Sequence, residues 1–422
     1  MERYDVCVCG GGPSGFIAAT AAARQGAKTL LVERYGFLGG MATLSMVSPI
    51  SVFNKKQKRI IAGLPLEFAE GMERLGGADT SFPSGNIHFD PEIYKLVSQR
   101  MTLESGVKLL LHSYAADCVC EEGVIKSVAL EGKSGRMSVE ADYFIDCTGD
   151  ADLVKYAGLP YRLGDESDGE LQPMTLWFRL GGVDTDRLEN MEMRVSGKRH
   201  ANTRIRDALI SLGLVAGVPK FGGPWMLTTF RRGEASINMS RFAGDGTDIF
   251  SLTEAECSLR EDVFKLIRLL RENFDEFKNC YLIDTGTQVG IRETRRIEGL
   301  YEMTADDILS PKDFPDTIAK GGHPIDMHKA KDREQDLRRV AEGYNIPYRT
   351  LLPKGAENLI VAGRSVSATR EAIASIRVQA TCMAMGQAAG VAAAICAKQR
   401  LPVHKLDGAY LRETLAGLGA IV

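Results

Sequence analysis

The chain has 422 residues, 44% of them apolar, which suits roughly two or three domains with sizeable cores. A net charge of −3 and a pI near 6.2 give no electrostatic case for nucleic acid, and no basic stripe with interleaved aromatics runs along the sequence. The 9 cysteines are an odd number, and none is spaced C-x-x-C, which argues against a disulfide framework, a redox dithiol or a zinc site.

The N-terminus enters a strand, VCVC at 6–9, almost at once, so no signal peptide is read and a cytoplasmic protein is expected. GGGPSG follows, in which Gly10, Gly12 and Gly15 fit G-x-G-x-x-G. In that pattern the first glycine permits a tight turn, the second lets backbone approach a pyrophosphate, and the third lets helix pack on strand. The Ala-rich stretch 14–25 is the expected helix; its N-terminal amides and partial positive charge suit an anion without a lysine. A second strand over 29–32 ends at Glu33, placed like the acid that binds ribose hydroxyls and repels a 2′-phosphate. This order predicts nucleotide binding but does not by itself separate FAD from NAD.

Asp90 and Pro91 open a helix to about 104, with Asp as N-cap and Pro at the first helical position. A strand over 107–112 follows, then a hairpin or meander around Cys118 and 125–130. YFIDCTGDAD, 143–152, reads as a buried strand running into a glycine turn. Alternation puts Cys7 with Cys9, and Cys118 with Cys120, on shared strand faces as buried free thiols. From 163 to 347 the texture changes to half-exposed strands such as MTLWFRLGG, and a helix from 253 to about 274 opened by the capping-box pair Thr253 and Glu256. Strand-like VGIRETRRIEG and irregular GGHPIDMH follow it. NLIVAGR, 358–364, returns to a buried parallel strand, and the Ala/Gly run 382–397 reads as a buried helix too short for a membrane. The expected fold class is α/β. A Rossmann-like, doubly wound, mainly parallel domain (1–162 and 348–422) is interrupted by an α+β substrate or cap domain (163–347), with ligand between them.

Seven stretches together, VCGGGPSG, VERYGFLGGMAT, DPEIYK, YFIDCTGDADL, VGIRETRRIEG, HPIDMH and NLIVAGRSVSATREAIASIRVQATCMAMGQAAG, resemble the FAD-dependent oxidoreductase family of the glutathione reductase structural class, in the branch with one dinucleotide fold and a cap. The resemblance implies FAD. It puts Gly10, Gly12, Pro13, Ser14 and Gly15 along the pyrophosphate and Glu33, followed by Arg34, at the adenosine ribose. It implies that Gly39, Gly40, Met41 and Ala42 pass beside the pyrophosphate and ribityl chain, and that Ala115 meets adenine. Thr148, Gly149 and Asp150 resemble the family's second FAD turn, and Gly363 with Arg364 its C-terminal one. The helix holding Gly386, Gln387 and Ala388 would aim its N-terminus at the isoalloxazine, where a positive end stabilises reduced flavin. No histidine follows Gly39 and Gly40 where some relatives link flavin covalently, so noncovalent FAD is expected. No second G-x-G-x-x-G precedes the C-terminal segment, and AGR stands where aromatic hydroxylases have GDA.

Oxidation of an alcohol or amine by flavin needs a nearby base, and histidine is the natural one near neutral pH. His328 in HPIDMH is preferred over His323, with Asp326 on the same face if the segment is extended. Alternation in VGIRETRRIEG would put Arg292, Thr294 and Arg296 on one face, where an arginine grips a carboxylate or hydroxyl; an ion-paired structural strand is the equal alternative. Arg377 in SIRVQ would reach substrate or flavin. The expected partner is a small polar organic substrate, oxidised at a hydroxyl- or amino-bearing carbon. The alternatives are reduction or desaturation of a carbon-carbon bond beside a carboxylate, and a flavin-carrying electron-transfer subunit. Electron acceptor and oligomeric state stay open, and neither nucleic acid nor membrane is expected as a partner.

Overall fold

The computed structural model describes residues 3–81, 85–192, 201–213, 217–229, 231–329 and 335–422. Its main sheet is mixed but chiefly parallel. Lys108–Leu110, Thr29–Val32, Arg3–Cys9, Gly135–Asp146 and Leu359–Val361 run parallel in that order, and the first half of Gly135–Asp146 also closes an antiparallel meander with Val124–Gly132 and Ser113–Glu121. The register pairs Cys9 with both Val32 and Asp146, and Asp146 with Val361. The strands therefore end level, and the residues that follow each end share one edge, where ligands collect in open α/β sheets.

One face of this sheet is covered by the helices Pro13–Arg24 and Gln379–Gln399, which cross closely. Glycine makes the approach possible: a Cβ at Gly386 would sit 2.2 Å from the Ser14 carbonyl oxygen, and one at Gly390 2.1 Å from that of Ala18. Gln379–Gln399 is longer than the expected 382–397, and by length and composition it is apolar enough to span a membrane. Of its most apolar window, 83% is buried in the protein, so here it is a core helix. Side chains of Met303, Ile318, Ile325, Tyr344 and Ile346, assigned by sequence to the inserted block, lie in this same core.

A second core sits under an antiparallel sheet ordered Phe221–Thr228, Ala235–Ser240, Phe178–Gly181, Tyr281–Thr285. Leu176, Phe178, Leu180, Ile237 and Met239 pack there against Leu259, Val263 and Leu266 of the helix Ile249–Asn273. The alternate residues Thr175, Trp177 and Asn238 face the other way, into a cavity. One face is thus packed and the other lines the cavity, and MTLWFRLGG is largely buried rather than half-exposed.

Three local expectations are corrected. The long helix starts at Ile249 with Asp248 as N-cap, accepting from the Ser251 N–H; Thr253 instead bonds the Ile249 carbonyl, and Glu256 accepts from the Val289 N–H. In VGIRETRRIEG only Arg295–Ile297 is strand. Arg296 pairs with Glu293 while Arg292 turns to Thr175, so alternation does not place them on one face. Cys7 and Cys9 are buried, whereas Cys118 and Cys120 are half-buried and Cys257 is exposed.

Candidate active site

A cavity of about 580 Å³ runs along the level strand ends and on beneath the second sheet. At the sheet end the chain leaves Cys9 through Gly10, whose φ of +99° and closeness to Cys147 both require glycine: a Cβ would lie 2.4 Å from the Cys147 carbonyl oxygen. Gly12 has only Gly40 Cα within 4 Å of where a Cβ would be, at 3.8 Å, so backbone is open to the cavity there. The helix that follows has no side-chain cap; Pro13 carries no N–H and the Gly15 N–H already bonds the Gly12 carbonyl, so the Ser14 N–H and the positive helix end are what the first turn offers an anion. Glu33 is buried and accepts from the N–H groups of Gly11 at 2.6 Å and Tyr35 at 2.9 Å. Burial pushes its carboxyl up, partly offset by those two bonds.

Of the residues expected at a dinucleotide, Gly10, Gly12, Pro13, Ser14, Glu33, Arg34, Gly40 and Met41 line the cavity, as do Ala115, Thr148, Gly149, Gly363 and Arg364. An open glycine turn, an uncapped helix end and a buried acid at the next strand end fit an FAD whose pyrophosphate meets Gly12 to Ser14 and whose ribose meets Glu33. The others stand behind this wall. Gly15 packs on Gly10, where a Cβ would fall 1.7 Å from its carbonyl oxygen, and Gly39 sits over Thr43. Ala42 is buried in the core, and Asp150 pairs with Arg364 at 2.6 Å. Gly386 and Ala388 serve helix packing, and the Gln387 side chain accepts from the Leu64 N–H. Two turns separate them from the helix start. What reaches the cavity is the N-terminal turn itself, through Arg377, Val378, Gln379 and Cys382.

The far end gathers Thr175, Trp177, Trp225, Asn238, Arg292, His323, Asp326, His328 and Arg377. Arg292 Nη1 donates to the Pro173 carbonyl and to Thr175 Oγ1, both at 2.6 Å, and Nη2 to Asn238 Oδ1 at 3.4 Å. Behind it Arg241 donates to Thr175 Oγ1 at 3.0 Å and to His328 Nδ1 at 2.9 Å. Arg377 Nη2 donates to the Asp326 carbonyl at 3.2 Å and to Gln172 Oε1 at 3.4 Å. Arg241 was not singled out by sequence. It enters because it directly follows the strand Ala235–Ser240, a long-range pairing that leaves no local signal.

His328 does not suit the role of base. Arginine only donates, so Nδ1 is the acceptor, and Nε2 carries the hydrogen that goes to Asp326 Oδ2 at 3.1 Å. Both nitrogens are taken. Burial and the nearby Arg292 push its pKa down to about 3. Against its own burial, Asp326 is held well below the usual carboxylate range by His328, Arg377 and the Gln335 amide. His323 is different: Nδ1 meets Ser51 Oγ at 2.8 Å, and Nε2 has no partner among the described residues. Part of its ring is open to the cavity, and burial lowers its pKa to about 4.

Sequence comparison finds 30% identity over 194 residues with thiamine thiazole synthase from Methanococcus vannielii, covering 43% of this chain and 69% of that one. Mitochondrial dihydrolipoyl dehydrogenase from Schizosaccharomyces pombe is 57% identical over 38 residues, 9% of this chain and 7% of the relative. Among solved structures the flavin-dependent brominase Bmp2 aligns with 99% of this chain and 83% of its own, at 13% identity and a TM-score of 0.51, a likeness of fold alone. This chain spans 65% of OxyS anhydrotetracycline hydroxylase from Streptomyces rimosus, at 14% identity and a TM-score of 0.48. A family match to FAD dependent oxidoreductase extends over residues 5–415, and on that breadth this chain belongs to the FAD-dependent oxidoreductase family.

Proposed function

We propose that this enzyme exchanges a hydride between FAD and a hydroxyl- or amino-bearing carbon of a small polar organic substrate, with His323 Nε2 taking the proton from the oxygen or nitrogen. The observation that carries this reading is the unpartnered Nε2 on the cavity wall. When bound, the isoalloxazine supplies the hydride-accepting atom. The chain's own residues do the rest. Donation of Nδ1–H to Ser51 Oγ leaves the Nε2 lone pair free, and a pKa near 4 keeps the ring neutral at physiological pH. Trp177 and Trp225 wall the cavity beside Asn238 and Arg292 and displace water from the reacting end. FAD is held noncovalently in this reading. The architecture is read as that of the glutathione reductase class, supported by the return of Leu359–Val361 to the first sheet; the inserted substrate domain is narrower than 163–347 and is the second core, because side chains between Met303 and Ile346 pack in the first.

Reduction or desaturation beside a carboxylate is the second reading, favoured by Arg292 and Arg377 on the same wall. Anaerobic flavin bleaching by sugars, polyols, hydroxy acids and amino acids tests the first: bleaching by none of them defeats it. With a substrate that bleaches, His323→Gln is expected to slow flavin reduction by roughly 10²- to 10⁴-fold, the usual effect of a positioned base. The acid limb near pH 4, where protonation removes the acceptor, should disappear with it. Parental rates in His323→Gln would remove this residue from the reaction.

A further inference from the structure

The arginines around the far end of the cavity fall into two sets. Near the cavity, Arg295 pairs with Asp152, Arg296 with Glu293, Arg364 with Asp150, and Arg370 with Glu293 and Asp165. Arg241, Arg292 and Arg377 pair with no carboxylate within salt-bridge distance among the described residues, although Arg241 and Arg292 are buried. Their hydrogen bonds go to neutral oxygens and to His328. The Nε of Arg377 is buried without a partner. Asp326 acts electrostatically on all three and Glu293 also on Arg377, but Asp326 is already engaged by His328 and Gln335 and Glu293 by Arg296 and Arg370.

An uncompensated guanidinium in a low-dielectric site is costly, whereas a bidentate carboxylate partner is strongly favourable. Burial lowers the pKa of all three, that of Arg241 to about 10. A guanidinium is not deprotonated in proteins, so all three carry charge, with His328 neutral between them. Arg292 and Arg377 line the cavity, and Arg241 stands behind, fixing Thr175 and His328.

We infer that the far end of the cavity is a carboxylate site, in which Arg292 and Arg377 hold the anionic group of the substrate and Arg241 positions them. The site thus selects small organic acids over neutral alcohols, sugars and amides. This rests on the preceding reading only in taking the cavity as the substrate's, and it is independent of the hydride step.

The test is a titration of the FAD-loaded protein with acetate and benzoate, against acetamide and benzamide as neutral counterparts of the same shape. None has a hydroxyl or amine on carbon to oxidise, so failure of the redox reading leaves this result unaffected. Flavin absorbance gives one readout. Tryptophan fluorescence gives another, because the chain's 2 tryptophans both line the cavity. The acids should bind saturably and the amides roughly tenfold or more weaker. Arg292→Gln and Arg377→Gln should each weaken acid binding by a similar factor with FAD content unchanged, and Arg292→Lys should fall between. Equal binding of acids and amides would overturn the proposal. So would glutamine variants that bind acids as the parent does, or variants that lose FAD while the parent ignores the acids. Should a variant not fold, the comparison of acid with amide on the parent still decides.

Discussion

Glu33 does two jobs through one carboxylate. It closes the glycine turn by accepting from the Gly11 and Tyr35 N–H groups, and it lines the cavity where a ribose would lie. Its removal therefore weakens cofactor binding without opening a core. Charge-assisted hydrogen bonds are worth roughly 1.5–3 kcal/mol, so Glu33→Ala should lower FAD affinity by about one to two orders of magnitude. Titrating apoprotein, prepared by acid release of flavin, with FAD measures this; unchanged affinity would take Glu33 out of the site. His323 and His328 make the complementary point. They are five residues apart in one segment and carry the same ring, yet one has a free nitrogen and the other has none, because Arg241 and Asp326 hydrogen-bond His328 and not His323.

At the scale of elements, the contact that matters most is the crossing of Pro13–Arg24 with Gln379–Gln399, since it sets the glycine turn above the second helix's N-terminal turn. The second helix is nearly all small residues on the crossing side, and Gly386 and Gly390 let its axis come within reach of the Ser14 and Ala18 carbonyls. Gly390→Val should lose roughly 1–3 kcal/mol, as overpacking does, and should also weaken FAD binding by displacing the turn. Gly417→Ala is the control. Nothing lies within 4 Å of a Cβ there, and alanine in a helix is favoured over glycine by up to about 1 kcal/mol. Urea unfolding midpoints that move the same way in both variants would contradict this account of the crossing.

For the whole molecule, the buried histidines couple stability to acid. His323 and His328 have pKa values of about 4 and about 3, against 6.5 for a free ring. As pH falls below 6.5 the unfolded chain takes up protons that the folded chain refuses, so stability is lost down to about pH 4. The slope is at most about 1.4 kcal/mol per pH unit for each histidine. Above 6.5 this contribution is constant. Melting temperatures between pH 8 and pH 4.5 should show a flat region and then a decline, and His323→Gln should make the decline shallower. A parental profile with no break near pH 6.5 would rule the coupling out.

The glycine turn, Glu33, the Asp90 cap, the strand 29–32 and, within 358–364, the shorter strand Leu359–Val361 were legible in the sequence because each depends on neighbours close along the chain: a positive φ, an N-cap bond, an unbroken apolar run. The family resemblance rested on several of those stretches together with others, VGIRETRRIEG and HPIDMH among them. Segment 291–297 was not legible, because its side chains find ion-pair and hydrogen-bond partners in distant segments, Asp152 and Thr175 among them, and this pairing overrode the period of 2 that alternation assumes. Which histidine is free, which arginines lack a carboxylate, and that Arg241 belongs to the site at all depend on contacts between residues 66 to 272 positions apart. Local pattern carries no trace of such contacts, so only the packed structure decided them.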